Sequence, residues 1–334
     1  MVSWAVSRCA VFKKSLLRSL IFAAVILLLG NFLDPYNQSQ LSVVMIFFIG
    51  VLSITLLTGA SGQISLGQGA LMAVGGYASA LPILHFTLNM WLAIPLAVFV
   101  SAIAGLLLGV TAARLSGPYL AGTTLVIALA IPSLANRFES VFSGDVGLSV
   151  DFGNAPSWLN KTIGEVALEK WQLIVTVIFA TIALFFALNI LNTRTGRSWR
   201  ALRDHDIAAS LQGVNVGRSR IFIFIVTSAF AGMAGALYGL RGIVSPSVYA
   251  VSLSLSLLTA AILGGIRNIS GAFIGSVIVV FLPDWIGSVT SRFSIPTRIS
   301  DYLPALITGL LLVATVVLSP GGVSGAIHPK HRSK

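Results

Sequence analysis

The segment WLAIPLAVFVSAIAGLLLGVTAA, residues 91–113, runs without a charged residue. A straight α-helix needs ~20 consecutive and mainly apolar residues to cross the hydrocarbon core of a bilayer, so this segment is long enough to span it. Apolar runs of the same kind recur from Leu16 nearly to the end of the chain. The sequence therefore predicts an all-α polytopic membrane protein.

The composition indicates the same class for the whole chain. Of the 334 residues, 56% are hydrophobic and 9% are charged, and the mean hydropathy is +0.94, whereas soluble domains carry ~25% charged residues. No stretch between the apolar runs is long enough for a separate soluble domain, so we expect residues 1–334 to form a single transmembrane domain. The single cysteine, Cys9, excludes an internal disulfide and a cysteine metal cluster.

The breaks between the apolar runs predict about ten transmembrane helices. Several of them, notably the first, second and eighth, are shorter than a straight crossing requires. The predicted spans are 16–33, 41–57, 64–84, 91–113, 119–134, 171–191, 221–240, 251–263, 269–289 and 302–318.

The basic residues indicate how these spans are oriented. With the N-terminus in the cytoplasm, fifteen of the 21 Lys and Arg residues fall on the cytoplasmic side, as the positive-inside rule predicts. Both termini and loop 192–220 are then cytoplasmic, and loop 135–170 is periplasmic. The periplasmic loop is either a solvated connector or part of a landing surface for a soluble partner. Because the net charge of +11 is spread over loops between spans, it indicates contact with membrane lipid and not with nucleic acid.

The scarcity of charge within the spans limits how transport could be driven. A proton-coupled carrier needs a titratable group near mid-membrane, but Asp284, Arg241 and His85 lie at the outer ends of their spans. The chain has no G-x-x-x-x-G-K-[ST] phosphate loop, because no lysine follows a glycine. We therefore expect a separate cytoplasmic ATPase and no bound cofactor, with a passive or ion-coupled carrier as the alternative. An intramembrane enzyme is disfavoured because the acids are scattered and mostly outside the spans.

Glycine-rich segments interrupt the apolar runs at two places. GASGQISLGQGA (59–70) opens the third span, and GGIRNISGA (264–272) separates the eighth from the ninth. Such segments have low helix propensity and expose backbone groups, so in a membrane they persist only against protein or a wet cavity. Breaks at corresponding places of two halves are typical of a translocation site, and five spans per half would make the halves inverted. The candidate pathway residues are Gly62, Gln63, Ser65, Gly67, Gln68, Gly264 and Gly265.

Packing is the alternative role for glycines in a membrane helix. The G-x-x-x-G spacing is typical of close helix contacts, and we expect packing wherever it occurs inside a span. The glutamines and the serine of the first glycine-rich segment add hydrogen-bonding groups that packing does not require. The spaced pairs are Gly105/Gly109, Gly235/Gly239 and Gly271/Gly275.

The predicted cytoplasmic loop 192–220 has the pattern of a short helix between turns. Ser198 is a candidate N-cap and Gly213 a candidate stop. Small residues on one face of this helix would suit insertion into a groove on a partner. The alternative is an ordinary basic loop that only enforces the topology. The residues predicted to share the face are Ala201, Ala208 and Gln212.

Three stretches together resemble the branched-chain amino acid ABC permease family, specifically its LivM type. They are SGQISLGQGALMAVGGYASA (61–80), TGRSWRALRDHDIAASLQGVNVGRSRIFIFIVTSAFAGMAGALYG (195–239) and LGGIRNISGAFIGSVIV (263–279). They cover about a quarter of the chain, and their combination is specific.

The resemblance implies a permease subunit of an ATP-driven importer in the bacterial inner membrane, with no ATPase activity of its own. Its partners would be a second permease of the LivH type, two cytoplasmic ABC ATPases and a periplasmic amino-acid-binding protein. The substrate would be branched-chain amino acids, and urea or a short-chain amide is the alternative, because permeases for those solutes are similar to this family. The resemblance assigns the ATPase contact to the loop around Arg203, Asp206, Ala208, Ala209, Gly213 and Asn215.

Overall fold

A computed structural model describes residues 2–115, 117–156, 166–292, 302–318 and 321–327, and it describes side chains from Phe12 onward. Within these ranges the chain is almost entirely helical. Eight of the helices are long and apolar enough to cross a membrane. The predicted all-α polytopic fold is confirmed.

The elements follow one another along the chain with short connections. The first half contains α1 (Val2–Asn31), α2 (Pro35–Ile54), a π-helical segment (Thr55–Ala60), α3 (Gln68–Phe86), α4 (Met90–Arg114), α5 (Pro118–Arg137) and α6 (Glu139–Phe142). A 3₁₀ turn (Gly144–Val146) and strand β1 (Leu148–Ser149) come next. The second half contains α7 (Leu168–Asn192), α8 (Arg194–Asp204), α9 (Asp206–Leu211), α10 (Val216–Leu240), strand β2 (Ile243–Val244), α11 (Val251–Gly264), α12 (Ile269–Arg292), α13 (Leu303–Leu318) and α14 (Gly322–Ile327).

Two of the predicted spans need correction. The third was expected to begin at residue 64, but the chain is not helical over residues 62–67 and α3 begins only at Gln68. The eighth corresponds to α11, which has 14 residues and a length of ~21 Å. That is shorter than the ~30 Å hydrocarbon core, so α11 alone does not cross it. The inverted relation between the two halves stays a prediction.

Helix α10 lies at the centre of the bundle and packs against α2, α3 and α4. Glycines allow these helices to approach closely. A Cβ atom on Gly235 would lie 1.9 Å from the Met72 carbonyl oxygen of α3, and one on Gly232 would lie 2.3 Å from the Ser101 Cβ of α4. Any larger residue at these positions would push α10 away from its neighbours.

The G-x-x-x-G pairs have the packing role that their spacing predicts. A Cβ on any of the six glycines would come within 3.0 Å of a neighbouring group. The contacts are Gly105 with Ser228, Gly109 with Ile221, Gly235 with Met72, Gly239 with Val244, Gly271 with Gly264, and Gly275 with Ala260.

The described loops lie at two faces of the bundle, and which of these faces is cytoplasmic stays a prediction. At one face β1 pairs with β2 in antiparallel register, with Leu148 opposite Val244, and this joins the loop after α6 to the loop after α10. At the other face lie α8, α9 and the turn between α11 and α12. We call these the hairpin face and the α8–α9 face.

Arg241 links three helices at the hairpin face. Its Nη2 donates to Ser39 Oγ at 2.6 Å and its Nε donates to Gln172 Oε1 at 3.3 Å. Burial lowers the pKa of the Arg241 guanidinium, and the nearby Tyr238 opposes this shift. A guanidinium nevertheless stays charged at neutral pH. Arg241 thus ties the end of α10 to the start of α2 and of α7.

We expect Gly235→Ala to destabilise the bundle, because its methyl group would collide with the Met72 carbonyl of α3. Overpacking of this kind costs ~1–3 kcal/mol. The midpoint of thermal unfolding, followed by size-exclusion chromatography of the detergent-solubilised chain, should fall by several degrees.

Gly122→Ala on α5 is the matched control, because no neighbouring atom lies within 4 Å of a Cβ built there. Its midpoint should stay the same or rise, since alanine favours a helix over glycine by ~1 kcal/mol. Equal midpoints for Gly235→Ala and the unmodified chain would contradict the close packing of α3 on α10.

Candidate functional site

The chain loses regular structure inside the bundle, between α2 and α3. The π-helical segment Thr55–Ala60 continues α2, and residues 61–67, the broken segment, lead from there to α3. Gly62 has a φ of +75°, a backbone conformation that residues with a Cβ rarely adopt. Low helix propensity in a glycine-rich stretch explains this break at the predicted place.

Hydroxyl groups of two other helices satisfy the backbone around the break. The Leu66 N–H donates to Thr124 Oγ1 of α5 at 3.0 Å, and the Gly69 N–H donates to Ser254 Oγ of α11 at 2.9 Å. Non-helical backbone at membrane depth is tolerated only where such partners exist. The sequence analysis missed both residues, because a hydroxyl within a span more often bonds to its own helix.

Two amide side chains at the break are buried without full pairing. Gln68 is 1% exposed, and its Oε1 accepts a hydrogen bond from Ser53 Oγ at 3.2 Å. Gln68 Nε2 and Gln63 Oε1 have no hydrogen-bond partner among the described residues. An unpaired buried polar atom costs ~1–3 kcal/mol. These two atoms are therefore the best candidates in the segment for contact with a polar solute.

The remaining polar residue of the segment shapes a turn. The Gly67 N–H donates to Ser65 Oγ at 3.2 Å. A Cβ on Gly67 would lie 3.1 Å from the Thr124 carbonyl oxygen. Ser65 and Gly67 thus fit the segment against α5.

The second glycine-rich break lies beside the first. A Cβ on Gly59 would lie 1.9 Å from the Ile266 carbonyl oxygen, so the π-helical segment touches the turn between α11 and α12. Gly265 has a φ of +112° within this turn. A Cβ on Gly264 would lie 1.8 Å from the Gly271 carbonyl oxygen. Gly264 thus packs α11 against α12, while the turn between these helices contacts the π-helical segment that precedes the broken segment.

The loop 192–220 contains two helices, where a single one was expected. His205, with φ −159° and ψ 108°, is extended and separates α8 from α9. Ser198 is not an N-cap, because it lies within α8 and its Oγ donates to the Arg194 carbonyl. The break also takes Ala208 off the helix that carries Ala201, so the predicted small-residue face does not form.

Ion pairs on either side of His205 account for this break. Asp204 pairs with Arg203 at the end of α8 at 3.0 Å, and Asp206 pairs with Arg220 of α10 at the start of α9. An aspartate in a first helical turn also interacts favourably with the helix dipole. Arg220 was not among the predicted site residues, and its Nη1 also donates to the Leu115 carbonyl at 3.2 Å.

Arg203 joins α8 directly to the break. Its Nη1 donates to the Gly59 carbonyl at 2.9 Å, so it bonds to the π-helical segment. A Cβ on Gly62 would lie 2.9 Å from Arg203 Cγ, so the stem of the arginine lies over the glycine backbone. The structure therefore brings a predicted coupling residue into contact with a predicted pathway residue.

A cavity of about 640 Å³ separates α9 from the broken segment and the start of α5. It is open at the α8–α9 face. Five of the sequence-predicted residues line it: Gly62, Gln63, Arg203, Asp206 and Ala208.

The other three predicted coupling residues support the two helices. Ala209 is 2% exposed and anchors α9 in the protein. Gly213, with φ +83°, follows the end of α9, which confirms it as a stop. Asn215 caps α10, where its Oδ1 accepts a hydrogen bond from the Arg218 N–H at 3.0 Å.

The exposed side of α9 is apolar. Ile207 is 78% exposed and Leu211 is 84% exposed, and as an i, i+4 pair they lie on one side of the helix. Side chains of this kind at the surface of a small helix are typical of a segment that enters a groove on a partner. The sequence analysis missed this pair because it assumed a single helix through the loop.

The greater part of the chain is similar to known transport proteins. A family model described as "Branched-chain amino acid transport system / permease component" matches residues 38–316. The "High-affinity branched-chain amino acid transport system permease protein LivM" of Salmonella typhimurium is 29% identical over 87% of this chain and 70% of its own length. The protein of the same name from Escherichia coli K12 is 27% identical with the same coverage. The "Probable branched-chain amino acid transport permease protein LivH" of Methanocaldococcus jannaschii is 26% identical over 77% of this chain and 82% of its own length.

We expect Arg203→Ala to loosen the π-helical segment, because the Gly59 carbonyl would lose its charged donor. Hydrogen–deuterium exchange should then increase in peptides covering residues 55–67. Arg197→Ala is the control, since Arg197 is exposed on the same helix. If exchange in this region were the same in both variants and in the unmodified chain, the bond from Arg203 would not hold the break in place.

Proposed function

We propose that this chain, which belongs to the family of branched-chain amino acid transport system permease components, carries branched-chain amino acids across the bacterial inner membrane as a subunit of an ATP-driven importer. The family match confirms the resemblance seen in the three sequence stretches. The substrate follows from the names of the LivM relatives. The chain is a transport subunit without a phosphate-binding loop of its own.

The contact of Arg203 with Gly59 and Gly62 supports this proposal most directly. A subunit driven by an external motor needs a mechanical link between its docking surface and its transport pathway. Here α9 presents the apolar pair Ile207 and Leu211, and Arg203 connects the adjacent α8 to the broken segment. A displacement of α8 and α9 would therefore reach the broken segment through a hydrogen bond and a packing contact.

The break is well suited to respond to such a displacement. The remainder of the bundle is close-packed through glycine contacts, whereas residues 63–67 donate no i→i−4 helical hydrogen bond that could be lost. Gln63 and Gln68 each hold a buried amide atom without a partner among the described residues. Their neutral groups can pair with the ammonium and carboxylate groups of a zwitterionic amino acid. They can equally pair with an amide, so urea is the comparison substrate in the test below.

We infer four partners for this subunit. Two cytoplasmic ABC ATPases would supply the energy, and one of them would receive α9 of this chain. A second permease of the LivH type would complete the membrane part, in line with the similarity of this chain to LivH proteins. A periplasmic amino-acid-binding protein would deliver substrate to the hairpin face. In this arrangement the α8–α9 face and both termini are cytoplasmic, as the positive-inside rule indicates.

Reconstitution into proteoliposomes tests the function. With the second permease, both ATPases and the binding protein present, we expect ATP-dependent uptake of labelled leucine that stops when this chain, or ATP, is omitted. Uptake of urea in place of leucine would overturn the proposed substrate but would leave the ATP-driven mechanism in place. Transport by this chain without an ATPase would overturn the importer assignment.

The Arg203→Ala variant tests the link within the same assay. A hydrogen bond to a charged group contributes ~1.5–3 kcal/mol, so uptake should fall about tenfold or more while ATP hydrolysis persists. Arg267→Ala is the control, because Arg267 is exposed in the turn between α11 and α12. Equal uptake by the Arg203→Ala and control variants would show that coupling takes another route.

Docking of the ATPase on α9 gives a separate prediction. The double variant Ile207→Ser, Leu211→Ser should retain its fold, because both side chains are exposed, but it should co-purify with much less ATPase. Val146→Ser is the matched control, since Val146 is 86% exposed at the hairpin face. An ATPase that stays bound to the double variant would place the docking surface elsewhere.

A further inference from the structure

An apolar groove of about 440 Å³ lies between α4, α7 and α10, away from the broken segment. Every residue that lines it is apolar. Helix α7 packs mainly on α1 and α2 and has little contact with α10. The groove is the space that this packing leaves between α7 and the centre of the bundle.

Along α7, the groove is about as long as one leaflet of a bilayer is thick. Its wall on α7 extends from Phe179 to Ile190, which corresponds to ~16 Å of helix and to about half of the ~30 Å hydrocarbon core. Toward the hairpin face, the ring of Trp91 of α4 stacks on Phe179 of the groove wall at 6.2 Å and meets Trp171 edge-on at 6.3 Å.

The lateral side is open to the surroundings of the transmembrane helices. Ile182 is 41% exposed and Phe186 is 53% exposed at the rim of the groove. Two of the residues that line the groove, Ala183 and Ala229, are small, so they leave room between the helices. An extended hydrocarbon chain fits such a slot without displacing any protein group.

An arginine bonds to the backbone beside the end of the groove, where α7 passes into α8. The backbone of α8 rests on this end, since a Cβ on Gly196 would lie 2.6 Å from the Ile190 carbonyl oxygen. Arg200 is exposed, and its Nη2 donates to the carbonyl of Leu191, the residue next to Ile190, at 3.2 Å. Arg197, one turn earlier on α8, is also exposed.

These two arginines are available to an anion. In the part of the chain that the structure describes, the carboxylates of α8 and α9 are Asp204 and Asp206, which pair with Arg203 and Arg220. Arg197 and Arg200 are in no ion pair there. Trp199, which is fully buried and precedes Arg200 on α8, packs in one cluster with Ile190 and Val226 of the groove wall, so it anchors this part of α8 beside the groove.

We propose that the groove binds an anionic phospholipid of the bilayer, with one acyl chain between α4, α7 and α10 and the phosphate against Arg197 and Arg200. The apolar length matches a single leaflet, and the charge at its open end is opposite to that of the headgroup. Guanidinium groups bind phosphate by paired, charge-assisted hydrogen bonds. Anionic lipids are concentrated on the cytoplasmic side, where the proposed orientation places this end. A helix of the second permease is the competing occupant.

Photolabelling of the full chain in nanodiscs tests the site. Two probes with the same diazirine-bearing acyl chain are compared, one with a phosphatidylglycerol headgroup and one with a phosphatidylcholine headgroup. Mass spectrometry of the digested protein should find phosphatidylglycerol adducts in α7 and α10 peptides of the groove several-fold above the phosphatidylcholine level. Equal labelling by the two probes would overturn the proposed role of charge.

Two pairs of variants separate the headgroup contact from the acyl-chain contact. Arg197→Gln with Arg200→Gln should lower phosphatidylglycerol labelling to the phosphatidylcholine level, whereas Arg267→Gln on the same face should leave it unchanged. Ala229→Phe should fill the groove and remove labelling by both probes, and Ala305→Phe, at an exposed position of α13, should not. The midpoint of thermal unfolding confirms that each variant is folded.

The competing occupant is distinguished in the assembled transporter. Labelling of the groove should persist when the second permease and the ATPases are bound. Loss of labelling on assembly, with a disulfide or chemical cross-link from Phe186→Cys to the second permease, would overturn the proposal and assign the groove to a subunit interface. Retained phosphatidylglycerol labelling after both arginine substitutions would also overturn it.

Discussion

Backbone hydrogen bonding in the absence of water is the constraint on which this structure depends. Within a bilayer an unpaired N–H or C=O group costs several kcal/mol, so a membrane chain stays helical unless other groups take over its hydrogen bonds. At the broken segment Thr124, Ser254 and Arg203 do so. The three come from α5, α11 and α8, so the break can exist only where these helices meet around it. The packing of the whole bundle thus determines where the broken segment lies.

In contrast to the broken segment, helices α3, α4 and α10 are tightly packed against one another. Helix α10 approaches α3 and α4 so closely at Gly232 and Gly235 that backbone atoms touch, and close-packed interfaces of this kind resist continuous deformation. A displacement applied at the α8–α9 face cannot be absorbed by sliding these helices past one another. It is instead passed to residues 61–67, where the regular helical hydrogen bonds end at Gly62.

Polar and apolar surfaces on α8 and α9 serve different contacts. Arg203 points inward to the break, whereas Arg197 and Arg200 are exposed and Arg200 bonds to the Leu191 carbonyl at the end of α7. Ile207 and Leu211 of α9 are largely exposed and also line the cavity between α9 and the broken segment. The extended residue His205 makes this possible, because it turns α9 away from α8. One short loop therefore carries an arginine bonded to the break, exposed arginines and an exposed apolar pair.

Much of the architecture follows from the sequence alone. Uncharged runs of sufficient length determine membrane helices, because burial in lipid excludes charge, and G-x-x-x-G spacing determines close contacts, because only glycine lets two backbones meet. The glycines at 59–69 likewise predict the break, and the three sequence stretches predict the family. The sequence could not determine that α8 and α9 are separate, since this depends on the pairing of Asp206 with Arg220, a residue of a different helix. The sequence likewise could not determine the hydrogen bond from Arg203 to Gly59, or the hydrogen bonds that the hydroxyls of Thr124 and Ser254 accept. These contacts join residues far apart in the chain, and only the packing of the helices against one another brings them within hydrogen-bonding distance.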